Sequence, residues 1–445
     1  MRQKKIINGF SKMPRKKKIQ VLSEIVIDRE GLVHDLDTHL HPDLSYQKIY
    51  EALSENVMSN FYLPYSLAPN FIINNHYYIV PMVTNESSVV AAASAAAKYW
   101  AERGGFRSDV ISAIKTGQIH FSWFGDYDRL KLSFDRIKPE LISATNDLTE
   151  NMRRRGGGII DIELRNKTED IPGYYQLHFT FDTKDAMGAN FINSVLEKSA
   201  SIFESLVRRH TVLSLKERRM EIIMSVLSNH SPQCVVETSV ECSIDDLDSG
   251  RKDLSGEKFA EKFKMAIDIA NIDINRAVTN NKGIYNGIDA VALATGNDFR
   301  ALEAQGHVWA VHDGKYRGLS NVNTDGRIFR FTLRLPLTLG ATGGITRIHP
   351  LAKRSFEIMG NPNSKELMQI FSAVGLASNF SAVKALVTNG IQGGHMRMYL
   401  TGILRNFDVN ESELKLAKKY FNGKAISYKA VEQFIQQIRK DGDYQ

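Results

Sequence analysis

Cysteine is nearly absent: Cys234 and Cys242 are the two in 445 residues. That scarcity argues against a secreted disulfide scaffold and against a zinc site built from thiolates. Both sit in CVVETSVEC, an even number of residues apart, so a continuous strand points them to one side. Long apolar runs are lacking too. VVAAASAAA at 89–97 is the most apolar tract and is too short to span a bilayer. The basic N-terminus leads into more basic residues rather than an apolar stretch, so no secretory signal is expected. Internal repeats and low-complexity linkers are missing. These absences lead to the expectation of a soluble cytoplasmic protein, neither membrane-bound nor disulfide-held.

What is present is an ordinary globular composition, 43% hydrophobic and 24% charged, on a chain long enough for two or three domains. The net charge is +7. Arg2, Lys4, Lys5, Lys12, Arg15, Lys16, Lys17 and Lys18 supply much of the excess. A basic start suits nucleic acid or a membrane surface. It equally suits the solvated face of a helix with Ile19, Leu22 and Ile25 as its buried stripe, the preferred reading. Only Phe10 offers a base-stacking ring there, so no nucleic-acid partner is expected. A partner carrying several phosphates would also suit the charge.

Three regions are expected. Residues 1–112 and 222–391 form a large mixed domain. Pro64 and Pro69 predict an irregular stretch over 60–70. NHYYIVPMV reads as a strand. An Ala-rich helix follows, with Asn85, Ser87 or Ser88 as its cap and Gly104–Gly105 as its stop, central enough to pack on several sides. Residues 113–221 read strand, helix, two strands, helix, a ferredoxin-like insert. YQLHFTF alternates Tyr175, Leu177, Phe179 and Phe181 against Gln176, His178 and Thr180, marking a sheet with one buried face. Residues 392–445 form a small helical flap. Asn410 and Glu413 make a capping box, Ser427 caps a helix with Val431, Phe434, Ile435 and Ile438 on one face, and Gly390, Gly393 and Gly394 make a hinge. The fold class is thus α+β.

Residues 280–298 read NNKGIYNGIDAVALATGND. Lys282 and Asp298 bracket a segment in which only Asp289 intervenes as a charge, with Gly283, Gly287 and Gly296 as positions where the backbone can bend sharply or approach a ligand closely. An ammonium and a carboxylate on such connections suit stabilisation of negative charge on oxygen; a surface lysine near a turn aspartate is the bland alternative. Glu86 opens the Ala-rich helix, where a carboxylate also complements the dipole. His395 lies on the Gly-rich turn NGIQGGHM. Local structure cannot bring these four together.

ENVMSNFYLPYSLAPNF, TKDAMGANFIN, TNNKGIYNGIDAVALATGNDFRALEAQGH and NGIQGGHM, in that order, closely resemble segments of the soluble class II hydroxymethylglutaryl-CoA (HMG-CoA) reductases. Ser59 and Ser87 depart from the Gly and Pro that many members carry, without removing a functional group. The resemblance implies a catalytic set of Glu86, Lys282, Asp298 and His395. It implies Ser88, Arg276 and Asn379 as contacts for the substrate's free carboxylate. It implies Asp185, Met187, Gly188 and Asn190 of DAMGAN as dinucleotide contacts, on the ferredoxin-like domain. The lack of any G-x-G-x-x-G agrees, since a Rossmann domain would carry one.

The implied reaction is reduction of HMG-CoA to mevalonate and CoA with two NAD(P)H, or its reverse, without a metal. A homodimer or assembly of dimers is implied, with the active site at the subunit interface. Lys282 would stabilise the oxyanion, kept charged by Asp298; His395 would protonate the CoA thiolate; Glu86 would act as general acid, its pKa raised by burial and carboxylate neighbours. NADPH is the expected cofactor, with NADH the alternative, because one of Arg153, Arg154 and Arg155 in NMRRRGGG would suit the 2′-phosphate; a solvated helix end complementing its dipole is the other reading of these arginines. Thr149 aligns with the Asp of NADH-preferring relatives, and Asp147 and Glu150 lie close by. A CoA-binding or regulatory protein that kept the fold without catalysis is the alternative.

Overall fold

A computed structural model describes residues 6–388, 390, 400–421, 424 and 426–440. His395, Gly393 and Gly394 lie outside the described residues. Three short N-terminal helices come first, α1 (Arg15–Ser23), α2 (Arg29–Thr38) and α3 (Leu44–Glu51). The basic face of α1 is not wholly solvated. Lys18 is buried, with its ammonium 5.4 Å from the Phe10 ring centre. Ile25 falls beyond the helix and is exposed.

The hairpin β1 (Tyr65–Ile73) and β2 (His76–Val83) follows. β1 replaces most of the irregular stretch expected over 60–70. Pro69 is tolerated because the register slips between Ala68 and Phe71, a bulge at which proline removes no ladder bond. The Ala-rich helix is α4 (Val89–Ala101), stopped at Gly104 and Gly105. β3 (Arg107–Val110) then leads into the insert.

The insert contains β4 (Lys115–Trp123), α5 (Tyr127–Ala144), α6 (Asn146–Arg154), β5 (Gly158–Asn166), β6 (Tyr174–Asp182), α7 (Ala189–Arg209) and β7 (Met220–Leu227). Its antiparallel sheet has the order β5-β6-β4-β7, the ferredoxin-like order. Leu177, Phe179 and Phe181 of β6 pack on α7 through Val195, Leu196 and Phe203, as the alternation required. The fourth strand, β7, runs six residues past the expected end at 221.

The remaining chain supplies β8 (Val235–Ser243), α8 (Gly256–Ile272), α9 (Ile274–Thr295), α10 (Phe299–Trp309), the small hairpin β9 (Val311–His312) and β10 (Lys315–Tyr316), β11 (Ser320–Asp325), β12 (Ile328–Pro336), α11 (Ile345–Ile348), α12 (Pro350–Ile358) and α13 (Ser364–Val387). β11-β12-β8-β3 form an antiparallel sheet. Its inner face meets α4, α9 and α13 around Trp100, Phe263, Phe329 and Phe380, all within 1% of full burial. α13 is apolar and long enough to cross a membrane, but most of it is buried inside the protein. Farther on, α14 (Glu411–Tyr420) and α15 (Tyr428–Lys440) share their own core of Leu404, Ala417, Phe421, Val431 and Ile435. The Asn410–Glu413 capping box and the Ser427 cap are both present.

α9 and α13 cross closely. A Cβ at Gly287 would stand 2.3 Å from Ser378 Oγ and 3.0 Å from the Val374 carbonyl. Gly287→Val should therefore cost at least about 1–3 kcal/mol by overpacking, read as a drop in thermal midpoint, whereas Gly314→Ala on the open β9–β10 turn should pack freely and cost only its backbone strain.

Candidate active site

α9 is one uninterrupted helix, capped by the Asp273 carboxylate on the Arg276 N–H and closed by Gly296 at φ 68°. Gly283, which lines the cavity beside Lys282, and Gly287 are helical rather than bends. The reason is packing: glycine lets α13 approach, and the flanking Ile284, Tyr285 and Ile288 supply the buried face. Lys282 stands on the opposite, exposed face. Its Nζ donates to Glu86 Oε2 at 2.6 Å, and Asn286 Nδ2 donates to Glu86 Oε1 at 3.4 Å.

Glu86 lies on the tight connection from β2 into α4. Two residues on, Ser88 holds φ 75°, a left-handed conformation that costs a non-glycine residue roughly 1–2 kcal/mol. Ser88 caps α4 without using its hydroxyl. The hydroxyl, with Glu86, Lys282, Arg276, Asn286 and Asn379, lines a cavity of about 350 Å³. The Arg276 guanidinium has no hydrogen-bond or ion-pair partner among the described residues. Asn379 is 1% exposed; its Oδ1 accepts from Ser320 Oγ at 2.7 Å and its Nδ2 donates to Asn280 at 2.9 Å. The cavity thus offers a free guanidinium, a fixed carboxamide and a free hydroxyl beside an ammonium–carboxylate pair. A carboxylate and a polarisable carbonyl on one ligand would match it.

Two expectations are not met within one copy of the chain. There Lys282 pairs with Glu86 rather than with Asp298. Sixteen residues separate Lys282 from Asp298, mostly along the helix, roughly 20 Å at 1.5 Å per residue. Asp298 instead caps α10, accepting from the Ala301 N–H at 3.2 Å. Among the described residues Glu86 also has neither the burial nor the carboxylate neighbours expected for it: its side chain is 42% exposed and faces a cation.

Asp298 lines a second cavity, of about 670 Å³, with Met187, Gly188, Asn190 and the loop Gly340–Thr346. Asp185 is turned away from this cavity. Its carboxylate accepts from the Ser364 N–H at 2.9 Å and caps α13. The loop 340–346 was missed in the sequence, although GATGGIT carries three glycines, as many as 280–298 in a much shorter stretch. Near α6, Thr149 is buried with its hydroxyl on the Thr145 carbonyl, so it cannot reach a ligand. Asp147 is paired with Lys198, and Glu150 with Arg154. Arg153 is hydrogen-bonded to Asn146, and Arg155 has no side-chain partner among the described residues.

The family model for hydroxymethylglutaryl-coenzyme A reductase matches residues 15–400. The chain belongs to the HMG-CoA reductase family. It is 34% identical over 396 residues to the 3-hydroxy-3-methylglutaryl-coenzyme A reductase of Archaeoglobus fulgidus, covering 88% of this chain and 85% of that one. It is 36% identical over 369 residues to the probable enzyme of Borreliella burgdorferi, covering 82% and 81%. Among solved structures it is similar to the class II reductase of Streptococcus pneumoniae bound to NADPH in open conformations, with a TM-score of 0.70, 34% identity, and coverage of 86% and 99%. A second structure of that reductase gives a TM-score of 0.71, 32% identity, and coverage of 97% and 99%. This reductase therefore has the class II fold and the family's reaction, reduction of HMG-CoA to mevalonate.

Asp289 lies seven residues along α9 from Lys282, on the same face. Burial, the Glu303 carboxylate and a hydrogen bond shared with it hold the Asp289 carboxyl well above the ordinary range, against the pull of Lys282. A carboxyl whose pKa is raised by folding contributes stability that is complete below its unfolded pKa of ~3.9 and is lost as pH rises through the folded value. Asp289→Asn should accordingly gain thermal stability over the wild type progressively above about pH 4. Melting curves at acidic and mildly alkaline pH check this; a constant difference would contradict it.

Proposed function

We propose that the Lys282–Glu86 cavity binds HMG-CoA and carries out its reduction, with the dinucleotide in the second cavity. The observation that carries this reading is the ammonium–carboxylate pair beside a free Arg276 guanidinium. Arg276 and Ser88 bind the substrate's free carboxylate, and Asn379, locked by Ser320 and Asn280, orients it. Lys282 donates to the thioester oxygen as it becomes an oxyanion. Glu86 accepts from Lys282 in the resting site; once the bound ligand draws the Lys282 ammonium away and the carboxyl takes a proton from solvent, Glu86 supplies that proton to the aldehyde oxygen in the second reduction. His395 protonates the departing thiolate, a transfer downhill by ~3 kcal/mol between ordinary imidazolium and thiol pKa values.

The second cavity fits a dinucleotide. It is roomy, and its glycines 343 and 344 leave open space where side chains would stand. Met187, Gly188, Asn190 and the 340–346 loop would hold the dinucleotide, which supplies hydride when bound. The two cavities lie toward opposite ends of α9, so Asp298 serves Lys282 from a second copy of the chain. The working unit is then a homodimer, or an assembly of dimers, in the cytoplasm.

Lys282→Ala should lower kcat at least ~10²-fold, measured as dinucleotide oxidation on adding HMG-CoA; near-normal turnover would sink the reading. Each inactive alone, Lys282→Ala and Asp298→Asn chains mixed in equal amounts should recover about a quarter of wild-type activity, because one site in each mixed dimer is intact. No recovery would place Asp298 with Lys282 of its own chain.

NADPH is the preferred cofactor. Asp147 and Glu150 are already ion-paired, leaving no free carboxylate there for a ribose hydroxyl, whereas Arg155 is unengaged. Arg155 also adjoins Gly156 and Gly157, which pack against Lys184 at the head of the DAMGAN turn. Arg155→Ala should raise KM for NADPH about tenfold and leave KM for NADH unchanged, while Arg154→Ala should do neither. A wild type with higher kcat/KM for NADH would overturn the preference.

A further inference from the structure

Among the described residues two lysines are buried, Lys18 in the N-terminal helices and Lys115, and the mechanism uses neither. Lys115 opens β4, where the chain passes from the large domain into the insert. It is 4% exposed, and no carboxylate contacts it among the described residues. Its Nζ donates to Thr183 Oγ1 at 2.7 Å, the Ala186 carbonyl at 2.7 Å, the Met187 carbonyl at 2.9 Å and the Leu339 carbonyl at 3.2 Å. Burying an ammonium among neutral oxygens is costly, and a hydrophobic residue would fill the space more cheaply. Burial does lower its pKa, to about 8, with Cys234, Asp182 and Asp185 opposing. The ammonium therefore persists at neutral pH.

The acceptors explain its place. Thr183 follows β6, Ala186 and Met187 belong to the DAMGAN turn, and Leu339 leads into the 340–346 loop. One cation thus ties together two of the segments around the second cavity, the DAMGAN turn and the 340–346 loop; the α9–α10 connection lies beyond its reach. The geometry goes further. In a planar trans peptide, C=O and N–H point in opposite directions. Turning the carbonyls of Ala186 and Met187 inward onto Lys115 turns the N–H groups of Met187 and Gly188 outward. Both residues line the second cavity. The Met187 N–H faces the Thr342 carbonyl in the parallel bridge between Ala186 and Thr342, bracing the 340–346 loop. The Gly188 N–H has no acceptor among the described residues, and Gly188 takes φ 91° at the start of α7, where free N–H groups favour an anion.

We infer that Lys115 is the positioning residue of the dinucleotide site: by holding the Ala186 and Met187 carbonyls inward it turns the Met187 N–H onto the 340–346 loop and presents the Gly188 N–H to an anionic oxygen of the dinucleotide. The inference rests on the second cavity being the dinucleotide site. Lys115 touches no ligand. It acts through the turn.

The test separates the two ligands. NADPH binding is followed by nicotinamide fluorescence and HMG-CoA binding by calorimetry, on wild type, Lys115→Met and Lys115→Gln. Lys115→Met should raise Kd for NADPH at least tenfold and leave Kd for HMG-CoA within twofold. Lys115→Gln, which keeps two N–H donors without the charge, should fall between Lys115→Met and wild type, and it carries the test if Lys115→Met does not fold. Unchanged NADPH affinity in a folded variant, or an equal loss for both ligands, overturns the inference. Failure of the wild type itself to bind NADPH would overturn the assignment of the cavity, a different result.

Discussion

The close crossing of α9 and α13 is the contact on which the rest depends. Gly287 lets the two backbones meet at Ser378 and Val374. α9 then carries Arg276, Lys282 and Asn286 along one exposed face, and α13 brings Asn379 up to the same cavity from below. α4 joins the pair through the Ser381 hydroxyl, which donates to the Ala92 carbonyl at 2.7 Å. That bond helps fix where α4 begins, and hence where Glu86 meets Lys282. Neither helix is amphipathic in the manner of a surface helix, because each has partners on several sides. The polar groups of the site occupy the faces left over.

The two cavities obey different physics. The Glu86–Lys282 cavity is defined by side chains: one ammonium is paired with a carboxylate, and the Arg276 guanidinium is left over. The second cavity has more backbone in its walls, turns with left-handed glycines, alongside side chains such as Asp298 and Asn190. A side-chain site tolerates small backbone shifts by changing rotamers. A backbone site does not, so it needs anchors such as the Asp185 cap on α13 and the Lys115 ammonium.

Much of this was legible in the residues. The alternation of YQLHFTF gave the insert's buried face, and the spacing of Asn410 and Glu413 gave a cap. Lys282 and Glu86 were singled out as types, and the fold brings them together. Other features were hidden for physical reasons. Glycines inside α9 read as bends because a sequence does not show whether a missing Cβ serves a turn or a neighbouring helix. β1 was obscured by Pro69, which a bulge accommodates. β7 carries exposed Ile223, Met224 and Val226, so it lacks the alternation of a half-buried strand. The separation of Asp298 from Lys282 follows from a helix whose length could be read only once its glycines were known to be helical.

That helix is also a ruler. Between Lys282 and Asp298 the chain can drift in composition wherever packing allows, but it cannot drift in length. One inserted residue would advance everything beyond it by about 1.5 Å and turn it by about 100°. Asp298, the Gly296 stop and the start of α10 would swing to a new side of the molecule, while Lys282 stayed in place. Deletions and insertions in this segment are therefore excluded by geometry, even where single substitutions would pass unnoticed.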